Sequence, residues 1–152
     1  MQKDVPLSPN EEICRISLGT KGKIFFLDSL ASLVSAGIPI VRALQILYFQ
    51  SENKKLRAVA KFLKAELERG LTITLAAGKM HGIFSSFDRS LIEMGESTGK
   101  IGGSFETIVE REEKNLELVR KVKQAMIYPI AIVFVAITMV SVIMVYVIPK
   151  IE

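Results

Sequence analysis

The chain has 152 residues, of which 49% are hydrophobic and 24% are charged, and its formal net charge at pH 7 is +4. This length accommodates one soluble domain, and the modest positive charge argues against a nucleic-acid binder while suiting a surface near anionic lipid. With Cys14 as the single cysteine, an internal disulfide framework and a multi-cysteine zinc site are excluded.

The sequence predicts an all-α fold, with a lead-in over residues 1–22 and a six-helix bundle over residues 23–124. The first helix begins near Lys23. Its apolar face is expected to comprise Phe26, Leu27, Leu30, Ala31, Leu33 and Val34. Gly37 is expected to end this helix in the left-handed conformation. Pro39 is expected in the first turn of the second helix, where its missing amide does no harm.

The third helix is predicted to begin after Asn53, which serves as its cap, and to end at Gly70. Its buried stripe follows helical spacing and comprises Leu56, Val59, Ala60, Leu63 and Leu67. The other faces are basic, and no feature of the sequence explains why. A candidate partner surface is therefore assigned to Lys54, Lys55, Lys61 and Lys64, against the alternative of an ordinary solvated helix face.

Two shorter helices are expected next. Thr72 is predicted to cap a fourth helix from Ile73 to about Lys79. Ser85 or Ser86 is predicted to cap a fifth helix that ends at Gly95.

The sixth helix is expected to start near Gly103 or Ser104, with acidic residues first and basic residues last. Residues 125–148 contain no charged residue and are long enough to cross a bilayer, so they are predicted to form a transmembrane helix continuous or nearly so with the sixth. Pro129 is expected to kink or interrupt it near the membrane surface.

The flanks of this run set its expected orientation. The bases before it include the juxtamembrane group Arg120, Lys121 and Lys123. The positive-inside bias therefore predicts that the N-terminal domain is cytoplasmic and that residues 149–152 begin the outer segment. Tyr128 lies near the start of the run, where interfacial aromatic residues are expected.

One local motif, Gly95-Glu96-Ser97-Thr98-Gly99-Lys100, invites comparison with a phosphate-binding loop. The spacing is one residue short, and Ile101 stands where serine or threonine should hold magnesium. The motif is instead interpreted as a helix–helix turn, with Gly95 and Gly99 supplying backbone freedom. Glu96 is interpreted either as bonding backbone amides, which is favoured, or as facing a partner.

No combination of residues predicts an active site. His81 is the only histidine and is interpreted as an exposed loop residue. No nucleophile–base pair and no cofactor or metal ligand set is identified, so a non-enzymatic protein is expected.

Five short segments in order resemble the type II secretion F family, the inner-membrane platform proteins of type II secretion systems and type IV pili. The segments are residues 30–44 around Gly37 and Pro39, Gly70, the Gly95–Gly99 turn, residues 121–129 ending in Tyr128-Pro129, and residues 147–150 around Pro149. Asp28-Ser29 and Phe84-Ser85 depart from the family pattern, which weakens assignment to a subfamily.

This resemblance implies a scaffold in the inner, or cytoplasmic, membrane of a bacterium or archaeon. It implies coupling of a cytoplasmic hexameric assembly ATPase to pilin or pseudopilin assembly, together with other inner-membrane components, lipid and further copies of the chain. It also implies that the natural protein continues beyond Glu152. The alternatives are a tail-anchored adaptor or regulatory protein and, more distantly, a nucleotide-binding enzyme.

Overall fold

Six α-helices make up most of the computed structural model, which describes residues 16–146 apart from the side chains of residues 127, 128, 130, 131 and 140–146. The described residues contain no strand, as an all-α fold requires. The helices are α1 (Thr20–Ser35), α2 (Ile40–Gln50), α3 (Lys54–Glu68), α4 (Ile73–Gly78), α5 (Ser86–Thr98) and α6 (Ile101–Tyr146).

Three glycines with positive φ end helices in this bundle. Gly37, Gly70 and Gly99 have φ values of 85°, 89° and 70°. In each case the next residue donates its amide to the carbonyl five residues back: Ile38 to Leu33 (3.1 Å), Leu71 to Glu66 (3.1 Å) and Lys100 to Gly95 (2.8 Å). This is the Schellman pattern, which satisfies carbonyls that the helix leaves unpaired.

Side-chain caps begin three of the helices at predicted residues. Asn53 Oδ1 accepts from the amide of Lys55 (2.9 Å), and Thr72 Oγ1 accepts from that of Leu75 (3.3 Å). Ser85 caps α5. Pro39, expected within the first turn of α2, is instead the residue before it, in an extended conformation.

One hydrophobic core joins all six helices. Consecutive helices from α1 to α5 pack on one another, and the beginning of α6 adds Phe105, Ile108 and Val109. The buried face of α1 centres on Phe26, Leu27, Leu30 and Ala31, while Leu33 and Val34 are only partly buried. The predicted stripe of α3 is buried except for Leu67, which is partly exposed.

The chain divides into two units, Met1–Glu113 and Lys114–Glu152. Helix α6 begins at Ile101, two or three residues before its predicted start near Gly103 or Ser104, and contains Pro129. Within residues 16–146, no helix combines the length and sustained hydrophobicity that a membrane crossing requires. The predicted crossing at residues 125–148 extends past the described residues and stays a prediction, as do the other predicted segment boundaries.

Candidate functional site

A buried cluster of charged side chains joins α1, α5 and α6. Lys23 Nζ donates to Asp88 Oδ2 and to Glu112 Oε1, both at 2.6 Å. The Asp88 side chain is fully buried, and that of Lys23 is 8% exposed. A single ammonium group therefore joins α1 to α5 and α6, at carboxylates 65 and 89 residues further along the chain.

Asp88 also completes the cap of its own helix. Its Oδ2 accepts from the amide of Ser85 (2.8 Å), while Ser85 Oγ accepts from the amide of Asp88 (3.2 Å), which makes a reciprocal capping box. Burial alone would raise the pKa of Asp88, but hydrogen bonds from Lys23 and Ser85 outweigh it and hold this pKa below its ordinary value.

The second carboxylate oxygen of Asp88, Oδ1, is buried, has no hydrogen-bond partner among the described residues and lies near an arginine. Arg111 Nη1 is 3.8 Å from Asp88 Oδ1, too far for a hydrogen bond, and its guanidinium lies 4.1 Å from the centre of the Phe87 ring. Arg111 thus adds charge compensation at the edge of the cluster. Asp88 Oδ2 is engaged by Lys23 and by the cap of α5, so the cluster holds the helices together.

A second buried carboxylate, Glu66, lies near the end of α3. It accepts a short hydrogen bond from Lys79, the residue after α4, and another from Arg69 at 2.7 Å. The hydrogen bond from Lys79 is the main cause that lowers the pKa of Glu66, against the opposing effect of burial. This contact ties the end of α3 to the end of α4.

Glu96, for which two interpretations were open, bonds backbone amides. The amides belong to α4 rather than to its own turn: Glu96 Oε1 accepts from Ile73 N (2.9 Å), and Oε2 accepts from Thr74 N (3.3 Å) and Thr74 Oγ1 (2.7 Å). A carboxylate at a helix N-terminus satisfies unpaired donors and complements the helix dipole. Glu96 therefore acts as a second cap on α4, supplied from α5.

Gly95 does not lie in the turn that the sequence predicted, because α5 continues to Thr98 and, of the two glycines in this motif, Gly99 alone has the left-handed conformation. Gly95 is buried against the start of α6. A Cβ atom there would lie 2.2 Å from Ser104 Oγ and 3.1 Å from Ile101 Cα. Close approach of two helices, rather than backbone freedom, accounts for this glycine.

The structure does not bring all four lysines of the candidate partner surface together. Each helical residue advances by about 100°, so Lys54, Lys61 and Lys64 share one face while Lys55 is displaced from it. Lys55 donates to Ser17 O at 3.4 Å, and Lys64 pairs with Glu68 at 2.6 Å.

Arg57, a basic residue of α3 outside the predicted partner surface, falls on this same face and lies 5.2 Å from the centre of the Tyr48 ring. We call Lys54, Arg57, Lys61 and Lys64 the basic stripe. Within the described residues, no ion pair involves Lys54, Arg57 or Lys61.

The remaining predicted residues lie in or beyond α6. The juxtamembrane bases Arg120, Lys121 and Lys123 are exposed, and Lys121 pairs with Glu117 at 3.6 Å. The Tyr128 side chain and all of Pro149 lie outside the described residues. Their predicted roles stay predictions.

The central residues of the buried cluster were missed, although the sequence held two signals for them. Lys23 occupies position i of the stripe that continues with Phe26, Leu27 and Leu30, so its spacing placed a charge on a buried face. Ser85 and Asp88 have the spacing of a capping box. No sequence signal paired these residues with each other or with Glu112.

Across residues 16–146, no group of three or more His, Cys, Asp or Glu side chains is arranged to hold a metal ion. His81 is exposed, with Nδ1 at 3.5 Å from Arg89 Nη1.

Most of the chain is similar to proteins of type II secretion systems and type IV pilus assembly. The family model for type II secretion system protein F matches residues 26–149. A type IV pilus assembly protein PilC of Thermus thermophilus is 37% identical over 77% of this chain and 28% of its own length. A type II secretion system protein F of Vibrio cholerae is 30% identical over 80% of this chain and 30% of its length. A type IV pilus assembly protein PilC of Myxococcus xanthus is 32% identical over 88% of this chain and 33% of its own length. The chain thus spans about a third of the length of these relatives.

Proposed function

Because the chain belongs to the type II secretion system protein F family, we propose that it forms part of an inner-membrane platform protein of a type IV pilus or type II secretion machine. The observation that carries this proposal is the family match over residues 26–149, which covers nearly all of the helical bundle and the whole uncharged run. In this proposal the run crosses the membrane and the bundle is cytoplasmic, since bases cluster before the run.

The proposed role is that of a non-enzymatic scaffold. The platform couples a cytoplasmic hexameric assembly ATPase to pilin or pseudopilin assembly, and works as a homo-oligomer with other inner-membrane components. Support comes from the use of the buried charges: Lys23, Asp88 and Glu66 are committed to contacts between helices. A bundle braced in this way is suited to passing force or position between partners.

For the ATPase contact we propose the basic stripe of α3. Three of its four cations have no ion-pair partner within the described residues, so an acidic partner surface would relieve their mutual repulsion. Arg57 lies over the Tyr48 ring, and arginine and tyrosine are both enriched among the residues that contribute most to binding energy at interfaces.

Charge reversal tests this contact with a control on the same helix. Co-purification and affinity of the assembly ATPase are measured for the full-length platform protein, the double variant Lys54→Glu/Lys61→Glu, and Lys55→Glu, which lies off the stripe. The double variant is expected to lose affinity by about tenfold or more, because like charges placed opposite each other cost several kcal/mol. Lys55→Glu is expected to bind nearly normally.

Two results would count against the proposal in different ways. Unchanged binding by the double variant would reject the basic stripe as the contact. Failure of the unaltered platform protein to bind the ATPase would reject the coupling role itself.

A further inference from the structure

The segment of α6 just before the uncharged run carries an unpartnered apolar stripe. Its members are Leu118, Val119, Val122 and Met126, and each is more than half exposed, between 52% and 61%. With about 100° per residue, all four lie within an arc of about 100° centred near Val122. We call these four residues the α6 apolar stripe.

Basic residues border this stripe on both sides. Lys121 and Lys123 each lie about 100° from Val122, one on either side, and Arg120 lies behind them. The segment therefore has an apolar face flanked by cations, which is the arrangement of helices that lie in a membrane interface. Lysine side chains at such positions reach headgroups while their methylene stems cover apolar surface.

The same charges argue against a second copy of this chain as the occupant of the stripe. Two parallel copies paired through it would bring the flanking lysines of one helix against those of the other, which is unfavourable. An anionic lipid surface instead attracts every one of these cations. Charge complementarity thus selects lipid over self-association.

We propose that residues 118–126 lie obliquely in the headgroup layer of an anionic membrane, with the α6 apolar stripe turned toward the bilayer. This inference rests on the proposed membrane location of the uncharged run. It adds a direction: α6 enters the bilayer tilted toward the side that carries Val122, since tilt and rotation follow from interfacial anchors. The opposite side, which carries Gln124, faces water.

Lipid quenching at two neighbouring residues separates a tilted helix from an upright one. The full chain with Cys14→Ser is given one cysteine, at Val122→Cys or at Gln124→Cys, and a fluorescent label. It is then reconstituted into vesicles of brominated phosphatidylcholine and phosphatidylglycerol. Gln124 is about 3 Å closer than Val122 to the uncharged run along the helix axis, so an upright helix quenches the label at residue 124 more.

If the helix is tilted as proposed, the label at residue 122 is quenched more than the label at residue 124, on the order of twofold, because only the stripe is buried in the interface. This excess is expected to shrink in vesicles of zwitterionic lipid alone. Equal or stronger quenching at residue 124 would overturn the tilt, and an excess that is the same in both lipids would overturn the assignment to anionic lipid.

Two further measurements distinguish this proposal from the alternative explanations. Shielding of the residue 122 label from aqueous iodide without quenching by brominated lipid would show that protein, rather than lipid, covers the stripe and would overturn the proposal. Flotation with the vesicles and resistance to alkaline extraction report membrane insertion separately. Loss of both for the unaltered chain would overturn the proposed membrane location, whereas insertion without the quenching difference overturns only the tilt.

Discussion

At the scale of single residues, Lys23 joins three helices through one side chain. Its ammonium group pairs with carboxylates from α5 and α6 at 2.6 Å each. Charges removed from water at this depth are tolerated because each is matched, and the loss of one partner leaves the others buried and uncompensated. The cluster therefore makes stability depend sharply on one lysine.

Replacement of this lysine tests that dependence. Lys23→Met keeps much of the side-chain volume but removes the charge, so Asp88 is left buried without its main partner. We expect a loss of about 3–5 kcal/mol in the free energy of unfolding, measured by urea denaturation with circular dichroism. Lys21→Met, at an exposed position of the same helix, should change stability by less than about 0.5 kcal/mol. Similar losses in the two variants would contradict the role given to the cluster.

At the scale of helices, the joint between α5 and α6 depends on the absence of a side chain. Gly95 lies in α5, and its missing Cβ admits Ser104 and the backbone of Ile101. Gly103, also helical, has no atom within 4 Å of an added Cβ. These two glycines therefore differ in what a methyl group would meet, although both lie in helices.

Alanine at each position should produce effects of opposite sign. Gly95→Ala is expected to cost about 1–3 kcal/mol, because backbone atoms must move apart to admit the methyl group. Gly103→Ala is expected to gain about 0.5–1 kcal/mol, since alanine favours a helix over glycine and meets nothing. Thermal unfolding of both variants measures the difference. Stabilisation by Gly95→Ala would show that the close approach is absent.

The ends of the helices were largely predictable from sequence, whereas the contacts between them were not. Asn53, Thr72, Gly37 and Gly70 act within a few residues of their own position, so local chemistry identified them. Gly95 was assigned to a turn because a Gly-x-x-x-Gly spacing gives no indication of a neighbouring helix. Only the packing of α5 on the start of α6 distinguishes it from Gly99.

At the scale of the whole molecule, two buried carboxylates link stability to pH. Asp88 braces α1, α5 and α6, while Glu66 braces the ends of α3 and α4. The pKa of each is held below its ordinary value. A lowered pKa in the folded state means that the unfolded chain binds protons more readily at acidic pH.

Acid should therefore destabilise the bundle through these two groups. Their contribution is complete at neutral pH, begins to fall as the pH approaches the ordinary carboxyl range near about 4, and is lost as the pH drops through the lowered values. Urea midpoints measured between neutral and acidic pH should fall steeply for the unaltered chain. Asp88→Asn is expected to flatten this dependence, and an unchanged slope would contradict the assignment.

For the candidate sites too, the sequence predicted local features but not contacts between distant residues. The basic residues of α3 were recognisable from the sequence, and their spacing already separates Lys55 from Arg57. The contacts of these two residues with Ser17 and Tyr48 were not predictable. The pairing of Lys23 with Asp88 spans 65 residues. Hydrophobic periodicity cannot predict a pairing over such a sequence separation, since it assigns a residue to a helix face but does not identify its partner.

The double cap on α4 makes this helix an indicator of the state of its neighbour. Six residues are too few to hold a helix in isolation, and α4 owes part of its N-terminal bonding to the Glu96 carboxylate of α5. When α5 loosens, the amides of Ile73 and Thr74 lose their acceptors at the same moment. The two helices thus form one cooperative opening unit, whose hydrogen exchange is governed by α5.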